Sequence, residues 1–283
     1  MKDIVQQIKA KYQAGEINVK LIFICVGVFL LVNALNLILG KILPYPLEHY
    51  FVAKADWTAF FSQPWGIITY VFFHGSFLHM ALNLLMIYFV GQLFLRYFRK
   101  EDFLTFFFFG AISGALTFML LSGVLNYKSS LLGASAAIYA VFFALVAYVP
   151  KTKVQLMFFN FNIPLDYVAY ALLGFDVWMI FANQNIGGHI SHLGGAAFGF
   201  LYMKQFEKGN DFLGEIIRAL FFRPKKLKQK TTKRKRPVDD YEFNGQRNAM
   251  QKKVDVILEK ISRSGYESLT KEEKDFLFKA GQK

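Results

Sequence analysis

The chain of 283 residues contains one cysteine. Cys25 lies inside an apolar run, so neither a disulfide framework nor a cysteine zinc site is available. Charge is scarce as well. Only 19% of residues are charged, against 54% hydrophobic and 18% aromatic, and the mean hydropathy is +0.31. Core helices of soluble proteins rarely run near twenty residues without charge, so a soluble helical domain is excluded in favour of membrane spans. The N-terminal twenty residues are charged and too long for a leader's n-region. No small-residue cleavage pattern follows Leu39, and the first apolar run reads as a retained span. There is no HExxH zinc motif. Internal repeats and paired broken helices of the transporter kind are also missing, which makes a transporter a distant reading.

What the chain does have is long apolar stretches. Five are evident at 21–39, 78–95, 103–121, 131–149 and 188–203. A sixth, at 164–182, is weakened by Asp166 and Asp176. The pattern predicts an all-α membrane protein of six spans. Lys and Arg in the loops set orientation. With the N-terminus inside, the inner side holds Lys2, Lys9, Lys11, Lys20, Arg96, Arg99, Lys100, Lys151, Lys153 and a basic tail. The outer side holds Lys41, Lys54 and Lys128. Both termini are therefore expected in the cytoplasm.

Three polar clusters open the second, fourth and sixth spans: His74-Gly75-Ser76-Phe77-Leu78-His79-Met80-Ala81-Leu82-Asn83, Gly133-Ala134-Ser135-Ala136, and His189-Ile190-Ser191-His192-Leu193-Gly194-Gly195. Nucleophilic and ionisable groups are costly at membrane depth and mark function there. At about 1.5 Å rise per residue, His79 lies roughly 25 Å from the inner anchor Arg96. Ser135 lies about 24 Å from Lys151, and His192 roughly 18 Å from Lys204, a difference that tilt can absorb. All three fall in the outer half of the bilayer. Gly195 and Gly199 make a small-residue stripe on the sixth span, and the fourth offers Gly133, Ala136, Ala137 and Ala140; such stripes let helices approach closely. Gly110 and Gly114 on the third span read as packing residues.

Over residues 65–202 this combination resembles the rhomboid family of intramembrane serine proteases. The signal is His-x4-His-x3-Asn, then Gly-x-Ser, then His-x-x-Gly-x3-Gly, in that order. The resemblance implies a six-span rhomboid-like bundle without cofactors. It also implies Ser135 as nucleophile and His192 as general base and acid, without an essential carboxylate. His79 and Asn83, with the Ser135 backbone N–H, would donate to the oxyanion. Tyr139, one helical turn after Ser135, would pack on the imidazole. Gly133 would allow the tight backbone before the nucleophile, while His74, Gly195 and Gly199 count as supporting residues. Gly66 after Trp65, where the family commonly has arginine, and Ala136 in place of glycine depart from the pattern.

His192 is preferred to His189 because Gly195 and Gly199 follow it at +3 and +7. His189 is expected at the outer rim, solvated or hydrogen-bonded. The pair His189/His192 could be read as metal ligands, but zinc needs more donors, so no metal is expected. Asp176 is expected as a structural partner beside a wet outer cavity rather than as a third catalytic member. The fifth span, with Phe175, Trp178 and Phe181, suits a mobile gate beside the second. The outer loop at 41–73 is expected to hold partly inserted interfacial helices. The implied function is hydrolysis of peptide bonds in or near transmembrane segments, with membrane proteins as substrates. A non-proteolytic scaffold that binds client helices is the alternative.

The organisation expected is a cytoplasmic segment at 1–20, the six-span core at 21–206, an amphipathic helix and basic linker at 207–245, and a helical hairpin at 246–283. Nine of the fourteen residues at 223–236 are Lys or Arg. Beside a span, attraction to an anionic inner leaflet explains them better than nucleic acid does, and a solvated linker fits equally well. Val254, Ile257, Leu258 and Ile261 form a stripe, and Thr270-Lys271-Glu272-Glu273 reads as a capping box. The resemblance places the protein in a bacterial plasma membrane, its active site opening outward.

Overall fold

The computed structural model describes residues 2–155, 161–222 and 240–281. The basic run at 223–236 lies outside them. The chain divides into two units, Met1–Pro224 and Lys225–Lys283.

The first unit is helical. α1 (Lys2–Ala14) and α2 (Ile17–Leu39) are followed by a loop carrying the short helices α3 (Trp57–Ser62) and α4 (Gly66–Thr69). Then come α5 (Phe77–Leu95), α6 (Lys100–Val124), α7 (Ser135–Tyr148), α8 (Leu165–Phe181), α9 (Ile186–Phe206) and α10 (Phe212–Phe221). By length and composition α2, α5 and α6 can each cross a membrane, and α7 is a shorter apolar helix. Leu30, Leu31, Leu37 and Ile38 on α2 are exposed, as a lipid-facing helix requires.

At the centre stands α7, whose residues from Ala136 to Ala147 are all buried. A helix apolar on every side belongs inside a bundle, and α5, α6, α8 and α9 surround it. Small residues make this possible. A Cβ on Gly195 would strike the Ala136 carbonyl oxygen, and one on Gly199 the Ala140 carbonyl oxygen. On the opposite side Gly110 lies against Ala140 Cβ. The backbones of α6 and α9 thus close on α7 from two directions.

The fourth apolar stretch does not become helix from its start. Ser130–Leu131 (β2) instead pairs antiparallel with Ala53–Lys54 (β1) of the loop between α2 and α5, and Gly133 turns the chain at φ +109°. The helix begins at Ser135 and has 14 residues, about 21 Å at the standard rise and short of a ~30 Å hydrocarbon core. The loop between α2 and α5 is pinned as well as helical. Trp65 Nε1 donates to the Tyr50 carbonyl at 2.7 Å and Thr69 Oγ1 to the Phe51 carbonyl at 2.6 Å. A Cβ on Gly66 would sit 2.6 Å from the Val52 oxygen, so this tight loop has no room for the arginine that the resemblance leads one to expect there.

A second antiparallel pair, β3 (Lys153–Gln155) with β4 (Asn162–Pro164), leads into α8. Asp166, in the first turn of α8, accepts from Lys151. Helix α10 packs on α6 through Leu213, buried Ile217 and the Phe221–Phe108 stack, while Phe212, Ile216 and Leu220 stay exposed.

In the second unit α11 (Asp240–Ser264) ends before Gly265 at φ +76°. Thr270 N donates to Glu273 Oε2 at 2.8 Å and Glu273 N to Thr270 Oγ1 at 3.3 Å, forming the box that starts α12 (Lys271–Gly281). Lys260 bridges α11 to Glu273 at 2.9 Å. Of the apolar stripe, Ile257 is buried and Leu258 is exposed.

Candidate active site

Ser135 is the first residue of α7, delivered there by the turn at Gly133. That turn is fixed on both sides. Gly133 N donates to the Tyr70 carbonyl at 3.0 Å, and the fully buried Tyr70 hydroxyl donates to the Ala111 carbonyl at 2.9 Å. A side chain at Gly133 would strike the His79 ring 2.7 Å away, and its positive φ is one that residues with a Cβ rarely adopt. Gly133 therefore sets both the direction of the chain and the closeness of the imidazole above it.

His192 meets Ser135 across the α7–α9 contact. Its Nε2 lies 2.7 Å from Ser135 Oγ, the distance of a hydrogen bond. The Tyr139 ring stacks on the imidazole at 4.3 Å between centroids and 18° between planes. Gly195 and Gly199, the next residues on that face of α9, bring the two helices close enough for this to happen.

His79 and Asn83 come from α5. Ser76 Oγ accepts from His79 N at 3.2 Å and starts that helix. Asn83 Nδ2 donates to the His79 carbonyl at 2.8 Å, and its Oδ1 is buried without a partner among the described residues. His79, Asn83, Ser135, Tyr139, Gly188 and His192 line one cavity of about 490 Å³. His74 is buried beneath, its ring edge-on to His79 at 5.3 Å.

Of the two states expected for His189, solvated or hydrogen-bonded, the structure has the second: it is 6% exposed, and its Nδ1 lies 2.6 Å from Asp176 Oδ1. Asp176 is fully buried, and the same Oδ1 lies 2.8 Å from His192 Nδ1. A carboxylate that takes hydrogen bonds from both histidines reaches the Ser135 partner directly. Its place could have been counted from the turn: Asp176 is five residues before the end of α8, and His192 six after the start of α9. Antiparallel helices joined by so short a loop bring those positions level. The ligand atoms of Asp176, His189 and His192 lie within 4.8 Å of one another, a spacing open to a cation. The Nδ1 atoms and Oδ1 are occupied by their mutual hydrogen bonds, and His192 Nε2 by Ser135.

The fold defines a helical membrane bundle in which a serine and a histidine meet at the lining of one shared cavity. Residues 62–206 match the rhomboid-domain family model. The chain belongs to the rhomboid family, whose members are typically intramembrane serine proteases. Residues 238–280 match a second model, a family of unknown function (DUF6576). No curated protein was found to match the chain.

Proposed function

We propose that the protein is an intramembrane serine endopeptidase that cuts peptide bonds in or near the transmembrane segments of other membrane proteins. The observation that carries this reading is the 2.7 Å contact between Ser135 Oγ and His192 Nε2 at a cavity that His79 and Asn83 also line.

The chemistry follows from the groups present. His192 Nε2 takes the Ser135 proton as Oγ attacks the substrate carbonyl. The oxyanion then meets the free N–H groups at the start of α7, which have no intrahelical acceptors and sit at the positive end of the helix. His79 adds a ring N–H. Asn83 has a second amide hydrogen besides the one given to His79. The imidazolium protonates the leaving amine, and water reaching the cavity from outside releases the acyl group. The stack of Tyr139 on His192 keeps the ring in plane for both transfers.

A substrate helix must unwind first, because its carbonyls are engaged internally, so segments with Gly, Pro or polar residues are preferred. Exposed Leu82 and partly exposed Met86 line the same cavity and offer such a segment an apolar approach along α5. Exposed Phe175, Trp178 and Phe181 on α8 support a gate on that helix. The apolar stretches support six spans, and the distribution of Lys and Arg supports cytoplasmic termini; the family resemblance is what points to a bacterial plasma membrane. The exposed apolar residues of α10 support contact with the inner leaflet.

Purified protein in liposomes with a single-span substrate tests the proposal. Wild type should cleave it, and Ser135→Ala and His192→Ala should not. Cleavage that persists in Ser135→Ala removes the proposed nucleophile. Binding without cleavage by wild type would instead favour the scaffold reading.

A further inference from the structure

We infer that Asp176 is a positioning residue that holds His192 in its reactive tautomer, with His189 as a second donor that fixes the carboxylate. This rests on the protease reading above and extends it from a pair of residues to a chain of four: Ser135, His192, Asp176 and His189.

The donor inventory decides the tautomer. An ionised carboxylate only accepts hydrogen bonds, so Nδ1 of His192, 2.8 Å from Asp176 Oδ1, carries a proton. Neutral imidazole has one N–H, so Nε2 is left as an acceptor. Nε2 is the atom 2.7 Å from Ser135 Oγ. The lone pair that must remove the serine proton therefore already points at it. The opposite tautomer would place an N–H against the hydroxyl and leave nothing to accept its proton.

Asp176 also answers the charge created in the reaction. When Oγ bonds to the carbonyl carbon, the π pair moves to the carbonyl oxygen and the Oγ proton moves to His192 Nε2. The resulting imidazolium keeps its Nδ1 proton and faces the Asp176 carboxylate. Nothing else is gained or lost, and the proton leaves on the departing amine. Asp176 is fully buried and so little screened by water.

A buried carboxylate needs hydrogen-bond donors to hold it ionised and aimed. His189, 6% exposed, places Nδ1 2.6 Å from the same Oδ1 and so holds that oxygen between the two rings. Phe175, on the same helix as Asp176, packs edge-on to His189 at 5.8 Å. Other titratable groups facing the cluster are Tyr139 from α7, against Asp176, and His79 from α5, against His192. Asp176 belongs to α8 and both histidines to α9, so one hydrogen-bonded oxygen ties the two helices at the level of the active serine.

Single-turnover and steady-state cleavage in liposomes test the inference with wild type, Asp176→Asn, Asp176→Glu and His189→Gln. Thermal unfolding of each is followed in parallel. Asp176→Asn should lose about 10²- to 10⁴-fold in kcat with KM changed only a few-fold, because an amide can donate to Nδ1 and reverse the tautomer. Its loss should shrink as pH rises, while Asp176→Glu should recover part of the rate and the wild-type pH profile. His189→Gln should lose on the order of tenfold. A folded Asp176→Asn protein with turnover within about threefold of wild type and the same pH profile overturns the inference and leaves the cluster a packing device. ¹⁵N NMR of the wild-type histidines decides the matter even where a variant does not fold or no substrate is cut. A protonated Nδ1 and bare Nε2 on His192 are expected, and the reverse assignment refutes the inference. Cleavage surviving Ser135→Ala would refute the protease reading while leaving that NMR result to stand or fall separately.

Discussion

Gly195 lies against Ala136 so closely that a single added carbon would fall on the alanine's carbonyl oxygen. This contact, repeated at Gly199 and Ala140, sets the separation of α7 and α9 and with it the Ser135–His192 distance. Gly195→Leu should therefore act on chemistry and packing together. Overfilling a packed interior costs about 1–3 kcal/mol, and here the neighbouring atom is backbone. Loss of activity with a lowered Tm is expected. Gly110→Ala presses on Ala140 from α6, away from the serine, so it should lower Tm with a smaller loss of activity.

Gly133→Ala should affect activity more than global stability. The new methyl group meets the His79 ring and the backbone must hold φ +109°, a strain of about 1–3 kcal/mol. Relaxing it would move both Ser135 and His79, so turnover should fall at least tenfold with only a modest change in Tm. Equal turnover by the two proteins would show that the turn does not place the serine.

Much of this is legible in the sequence, for reasons that can be named. Helix rise is constant, so counting from Arg96, Lys151 and Lys204 puts His79, Ser135 and His192 in the same half of the bilayer, and all three line one cavity. The glycines at +3 and +7 point to His192, the histidine whose Nε2 meets Ser135. The start of α7 is not legible from hydropathy, because Leu131 is as apolar as a helix residue. Pairing with Ala53, far away in sequence, holds it in a strand. Counting from the turn levels Asp176 with His192, but it does not fix which face of α8 and α9 each side chain takes, so their direct contact is not legible from spacing alone. The sequence leaves His189 open between solvation and a hydrogen bond, because its acceptor, Asp176, comes from another helix.

Two substitutions at Tyr139 test the ring stack. Tyr139→Phe keeps the ring on His192 at the observed 4.3 Å and should retain most of the turnover. Tyr139→Ala removes that face and leaves a cavity, so kcat and Tm should both drop, with a stability loss of about 3–5 kcal/mol as for other large aromatic deletions. Equal turnover in the two variants would show that the stack is dispensable.

The C-terminal unit offers a pH test. Lys260 and the Thr270 N–H hold the Glu273 carboxyl below its ordinary value of 4.5. A folded pKa below the unfolded one means that the contribution is complete above about pH 4.5 and is lost as pH falls through the lowered folded value. Carbon chemical shifts along α12 should therefore stay helical down to that range and then drift toward coil. Glu273→Gln should remove the drift. Drift beginning near neutral pH would contradict the role given to Glu273.

The most direct measurement is the site and rate of fluorophosphonate labelling on the folded protein in liposomes, read by mass spectrometry. One adduct is expected on Ser135, slowed at least 10²-fold in His192→Ala and absent in Ser135→Ala. No adduct on Ser135 in folded, substrate-binding protein, or an unchanged rate in His192→Ala, would contradict the pairing on which the proposed function stands.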